Sequence, residues 1–234
     1  MASSTATAIV NATRRTLLAI TGGLGGYGVY KAQADPPHIY WDLDNTILCS
    51  ITPRPPDDHP ILSNISPSRY FDQIDDDFPF EEGTPNTRTY WRPGARASLK
   101  LCGFLGARQH VYTAAQGTYT ANILLELDPD GTIFDSVTHR DVIPQPNGKD
   151  LAVVTESLDR SLLFDDRASN FRPQGGENGV LVPKYEDVAG SSDAGEVLEM
   201  AKLVGVVAMA LLAKDARDVA QLFSSGNDVC SSRR

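Results

Sequence analysis

Residues 38–46 read HIYWDLDNT. Pro36 and Pro37 punctuate the chain just ahead, and the apolar stretch that follows has strand character and runs straight into two carboxylates, Asp42 and Asp44. In an open α/β sheet, ligands bind in the crevice beyond the carboxyl ends of the strands. Carboxylates there are costly to bury unless a cation or hydrogen bonds compensate them. Asp42 is therefore a candidate nucleophile or metal ligand. Asp44, just past the strand, is a candidate proton donor turned back over the same site. The competing reading is an Asx-turn, with Asp44 or Asn45 capping a following helix.

Further along, SLLFDD at 161–166 again ends an apolar run on two acids, Asp165 and Asp166. Two strand ends presenting acids can share one hard cation. Carboxylate oxygens suit Mg2+, which keeps several waters and often bridges to a substrate phosphate. The competing reading for this pair is a turn or helix cap. A third strand, QHVYTA at 109–114, carries near its end Thr113, whose hydroxyl suits a phosphate oxygen. Lys149, in PNGKDL after a turn containing Pro and Gly, would supply the positive charge an acidic site needs to hold a phosphoryl group. Taken singly, Thr113 is an ordinary strand residue and Lys149 an ordinary surface lysine.

The intervening segments complete an α/β pattern. Helices are predicted for ARASLKLCGFL (95–105), for TYTANILLELD (118–128) and for 193–223, the last apolar nearly all round between Leu203 and Ala213. GVLV (179–182) reads as another buried strand. Strands alternating with helices predict a mostly parallel sheet. Residues 50–90 lose periodicity and carry seven prolines, and they read as a long acidic loop or cap inserted after the first strand.

Composition limits the function classes. The 234 residues are 41% hydrophobic and 22% charged, enough for one core plus appendages. The net charge of −9 is unevenly spread: residues 57–82 hold eight acids against Arg69 alone. Such an acidic body disfavours nucleic acid as a partner, since little in it can replace the counterions of a phosphate backbone. Cys49, Cys102 and Cys230 are too few and too scattered for a disulfide framework or a zinc cluster and read as free thiols.

Residues 1–34 contain Arg14, Arg15 and Lys31 but no acid, and read as a targeting or anchor segment ahead of a folded domain at 35–228 and a tail at 229–234. The apolar run at 16–30 is 15 residues long with five glycines, short of the roughly 20 needed to span a bilayer. A mitochondrial transit peptide is the reading favoured by composition. The alternatives are membrane association through residues 14–31, twin-arginine export and a disordered basic tail.

The order DLDNT, YTA, GKDL, LLFDD resembles the four motifs of the haloacid dehalogenase superfamily. More narrowly it resembles the aspartate-dependent phosphatases that act on the RNA polymerase II C-terminal domain, with the small C-terminal-domain and Dullard-type phosphatases as relatives. WRPG at 91–94, TAAQGTYTANILLELDPDG with its Tyr119, GKDLAVVTESLDRSLLFDD and KDARDV carry the narrower likeness, over about residues 38–50 and 90–223. The chain departs from the pattern at Ala115, where serine is usual, at Asn122, where proline is usual, and in having no cysteine after Arg140 at the family spacing. None of these removes a catalytic group.

The resemblance implies a Rossmann-like haloacid dehalogenase fold and a Mg2+-dependent phosphatase. Asp42 would form an aspartyl-phosphate and Asp44 would act as acid and then base. Thr113 and Lys149, with Arg140 near the site, would hold the phosphate. Asp42, the carbonyl of Asp44, and Asp165 or Asp166 would hold the metal. Arg92 would lie near the site or serve as a structural ion-pair partner at a turn. The expected partner is a phosphoserine or phosphothreonine protein. The alternative function is that of a mitochondrial inner-membrane translocase subunit, which uses the same fold to bind basic presequences, with the acids of 57–82 attracting them in an import complex.

Overall fold

The computed structural model describes residues 35–59, 65–74, 85–186, 188 and 192–231. The segment 1–34, the acids Asp75, Asp76, Asp77, Glu81 and Glu82, and residues 232–234 lie outside the described residues.

After the paired prolines, β1 (His38–Trp41) enters the centre of a five-stranded sheet. Its neighbours are β5 (Arg108–Tyr112) and β7 (Ser161–Asp165), flanked by β6 (Ser136–Thr138) and β8 (Gly179–Leu181), in the order β6-β5-β1-β7-β8. Every pairing is parallel. Both faces of β1 are covered, so Ile39, Tyr40 and Trp41 are all buried, the near-continuous apolar run expected of a central parallel strand.

The two faces are covered differently. Ile39, Trp41, Val111, Leu162 and Phe164 pack against helices α1 (Ala95–Phe104), α2 (Gly117–Leu127), α3 (Asp193–Leu212) and α4 (Ala216–Ser231). Tyr40, Tyr112 and Leu163 pack instead under Leu151 and Phe171, which lie on short 3-10 segments. Helix α1 opens at Gly94, whose φ of 85° and close approach to Val197 of α3 leave a β-carbon 3.4 Å from that residue's backbone.

Two sequence expectations are corrected. The helix predicted over 193–223 is two helices, because Asp215 accepts the N–H of Arg217 at 2.9 Å as an N-cap and starts a new one. The end of α3 is closed from outside, where the buried Arg160 donates to the carbonyl of Ala213 at 2.8 Å.

The stretch 50–90 is not simply a loop. β2 (Leu48–Ile51), β4 (Thr87–Trp91) and β3 (Tyr70–Gln73) form an antiparallel sheet in the order β2-β4-β3. Its strands escape a hydrophobicity pattern because they bury polar residues, Thr87, Arg88 and Thr89 among them, and pair them with other polar side chains. Arg88 pairs with both oxygens of Asp72 at 2.5 and 2.8 Å, and Asp57 joins through Arg88 and Arg54. No described helix is long and apolar enough to cross a membrane.

Candidate active site

Parallel pairing sets the site. Trp41 stands opposite Phe164, and the N–H of Asp42 donates to the Phe164 carbonyl at 2.9 Å, so Asp42 and Asp165 follow side by side at the carboxyl ends of adjacent strands. Beyond Asp42 the chain turns sharply. The Leu43 carbonyl accepts N–H groups from Thr46, Ile47 and Leu48, and Asn45 sits at φ 61°, a left-handed conformation asparagine tolerates. This is a turn into β2, not the cap of a helix.

Lys149 is fully buried between the two carboxylates. Its Nζ donates to Asp42 Oδ1 at 2.5 Å and to Asp165 Oδ2 at 2.6 Å, which leaves one of its three ammonium donors for another acceptor. Gly148 delivers it: at φ 111° a β-carbon there would meet the Ser169 carbonyl at 2.9 Å. Burial works against the lysine's charge, but Asp42 and Asp165 outweigh it and hold the ammonium above its ordinary range. For Asp42 burial dominates and pushes the carboxyl up, with Lys149 pulling the other way.

Asp165 is saturated, accepting also the Arg167 N–H at 2.8 Å and the Asn170 side-chain amide at 2.9 Å on both oxygens. Asp166 is its opposite: both carboxylate oxygens are buried without a hydrogen-bond partner, and burial, then the charge of Asp165, pushes its carboxyl up. Ligand atoms of Asp42, Asp165 and Asp166 all lie within 4.8 Å of one another. Three carboxylates against one ammonium leave two negative charges, which a divalent hard cation would neutralise. An orphaned acid in an oxygen-only cluster fits such an ion, and Asp166, rather than the already satisfied Asp165, is the acid left to bind it.

Of these groups Asp42 opens onto a cleft of about 420 Å3, which Asp44, Thr113, Tyr119, Arg140, Arg167 and Asn170 also line, while Lys149 and Asp165 are buried beside it. Thr113 is buried and accepts the Ala115 N–H on its hydroxyl at 3.1 Å, leaving its own proton to donate. Asp44 sits apart from the acid cluster and accepts the Tyr119 hydroxyl at 2.6 Å. The structure thus gathers Asp42, Asp44, Thr113, Arg140, Lys149, Asp165 and Asp166 around one cleft or its floor. Arg92 belongs to the scaffold: it is buried and donates to the Thr46 carbonyl at 3.0 Å and to Glu196 at 2.7 Å, bracing the turn from behind. Asn170 and Arg167 escaped sequence reasoning, because nothing local distinguishes a polar residue in or just before a 3-10 segment that lines a cleft from one that faces solvent.

The family model described as NLI interacting factor-like phosphatase matches residues 37–217. The chain belongs to this family. Among solved structures, the NLI interacting factor-like domain resembles Fcp1, described as an essential RNA polymerase II CTD phosphatase. Identity is 22% and the TM-score 0.51, over 83% of this chain and 54% of that one. A fission yeast Fcp1 variant bound to beryllium fluoride gives 20% identity and a TM-score of 0.51, over 85% and 57%. The chain therefore spans little more than half the length of these two Fcp1 chains, and at these identities the likeness establishes the α/β fold with its mostly parallel sheet. Comparison with curated proteins gives no match.

Proposed function

We propose that the chain is a Mg2+-dependent phosphatase with Asp42 as nucleophile, acting on phosphoserine or phosphothreonine in proteins. The observation that carries this reading is the buried Lys149 between Asp42 and Asp165 beside an unpartnered Asp166. A purely structural ion pair has no need of the orphaned third acid. The protein substrate is supported by family membership and by the activity named for the Fcp1 structures.

Asp42 attacks the phosphorus in line, forming a carboxylate oxygen to phosphorus bond as the ester oxygen departs. Asp44 gives its proton to the leaving alcohol. It then takes a proton from the water that attacks the aspartyl-phosphate, releasing orthophosphate and restoring Asp42. Lys149 holds Asp42 in place through one donor and offers another to the phosphoryl group, alongside the Thr113 hydroxyl. Asp42, Asp166 and the Asp44 carbonyl would hold Mg2+, which supplies the charge that lets a carboxylate approach a phosphate dianion.

Presequence binding gains no comparable support: of the eight acids in 57–82, Asp57 and Asp72 are already paired with arginines. The test is phosphate release from para-nitrophenyl phosphate and from a phosphoserine peptide by the full chain, with Mg2+ and with chelator. Asp42→Asn is expected to lower turnover at least about 1,000-fold while keeping the fold, since removal of a nucleophile leaves only the residual catalysis of binding. Metal-independent turnover, or turnover that survives Asp42→Asn, overturns the assignment.

A further inference from the structure

Asp44 is the end of a row of hydroxyl groups that begins on the antiparallel sheet. The Tyr119 hydroxyl donates to Asp44 Oδ1 at 2.6 Å and lies 2.6 Å from Ser50 Oγ. Ser50 Oγ is 2.8 Å from Thr89 Oγ1, and Thr89 Oγ1 accepts from the Gln73 side-chain amide at 2.6 Å. The direction of each proton follows from the ends. Asp44 Oδ1 accepts, with Oδ2 left to carry the proton when the carboxyl serves as acid, and the amide nitrogen only donates, so Thr89 donates to Ser50, Ser50 to Tyr119 and Tyr119 to Asp44. Every hydroxyl has one job, and none can reverse without breaking a neighbour's bond.

The row is also dry at its far end. Gln73 and Thr89 are buried, and Tyr119 is 6% exposed with its ring in the main core, so the bonds act where water does not compete. Cross-strand register builds it: Ser50 on β2 stands directly opposite Thr89 on β4, and β3 supplies Gln73 from the other side.

We infer that Tyr119 is a positioning residue whose hydroxyl, oriented by Ser50, Thr89 and Gln73, fixes the rotation of the Asp44 carboxyl at the cleft. The antiparallel sheet is thereby part of the machinery that aims the proton donor. This rests on the phosphatase reading, in which Asp44 protonates the leaving group.

An alkyl ester needs that proton, whereas nitrophenolate departs largely without it. The measurement is kcat/KM of the full chain on a phosphoserine peptide and on para-nitrophenyl phosphate, for wild type, Tyr119→Phe, Ser50→Ala and the double variant. Tyr119→Phe keeps the packed ring and is expected to lower the peptide-to-nitrophenyl ratio about tenfold, the scale of one lost charge-assisted hydrogen bond. Ser50→Ala is expected to lower the ratio by less, and to add nothing once Tyr119 is phenylalanine, since its effect passes through that hydroxyl. An equal loss on both esters, or additive losses in the double variant, overturns the relay while leaving the phosphatase standing. A folded wild type that turns over neither ester overturns both.

Discussion

Lys149 carries more of the site's electrostatics than any other residue. Two buried carboxylates lean on one buried ammonium, and removing it leaves them unpaired in a medium that solvates charge poorly. Lys149→Met is expected to cost about 3–5 kcal/mol of stability at neutral pH and to abolish phosphate release. Urea unfolding checks the first and a turnover assay the second; a stability change below about 1 kcal/mol would mean that the pair is not held as described. The sequence made the acids visible because a strand that ends on Asp announces itself. It could not reveal how the two neighbours Asp165 and Asp166 divide their work, since that depends on Asn170 and Lys149 arriving from elsewhere in the chain.

At the scale of elements, the neighbouring strands β1 and β5 meet on one face of the sheet through His38 and His110. Their rings stack, with ring nitrogens 3.0 Å apart. Burial, then proximity to His38, drives His110 down to about 4, and burial lowers His38 as well. Both are neutral in the fold and gain protons more readily once unfolded. Their contribution is therefore fully present above about pH 6.5 and is lost as the pH falls toward 4. For His110 that is on the order of 3 kcal/mol. Urea midpoints at pH 7.5 and pH 5 should separate more for wild type than for His110→Gln, and an equal separation would show that this pair does not govern the acid limb. Four of the five parallel strands were legible because apolar runs bounded by turn residues leave few alternatives, whereas β6, three residues long and largely exposed, offered no such run. The antiparallel strands were not, because Thr87, Arg88 and Thr89 are buried by partnership with polar groups rather than by apolar character. The break between α3 and α4 was hidden for the same reason, since the groups that enforce it are a carboxylate cap and an arginine from a distant segment.

For the whole molecule, an acid cluster with one orphaned member implies that folding and metal binding are linked. A cation that binds only the folded chain stabilises it by about 2.7 kcal/mol at a hundred times its dissociation constant, or ~5–10 °C in melting temperature for a chain of this size. Mg2+ is expected to raise the melting temperature of wild type by that amount. Asp166→Ala, which removes an unpartnered buried carboxylate, should be no less stable than wild type without metal and should gain nothing from Mg2+. A full metal response in Asp166→Ala would assign the cation elsewhere.

The bond between Lys149 and Asp42 joins residues 107 positions apart, and Tyr119 reaches Asp44 across 75. Non-local contacts of this kind make for slow folding, because long loops must close before any contact rewards them. The central strand stays incomplete until β7 arrives on its open side. A nascent chain that has emerged only as far as Lys149 has neither Asp165 nor Asp166 to set beside Asp42. Activity should therefore appear late and all at once during refolding, with no partly competent intermediate to hydrolyse the wrong ester on the way.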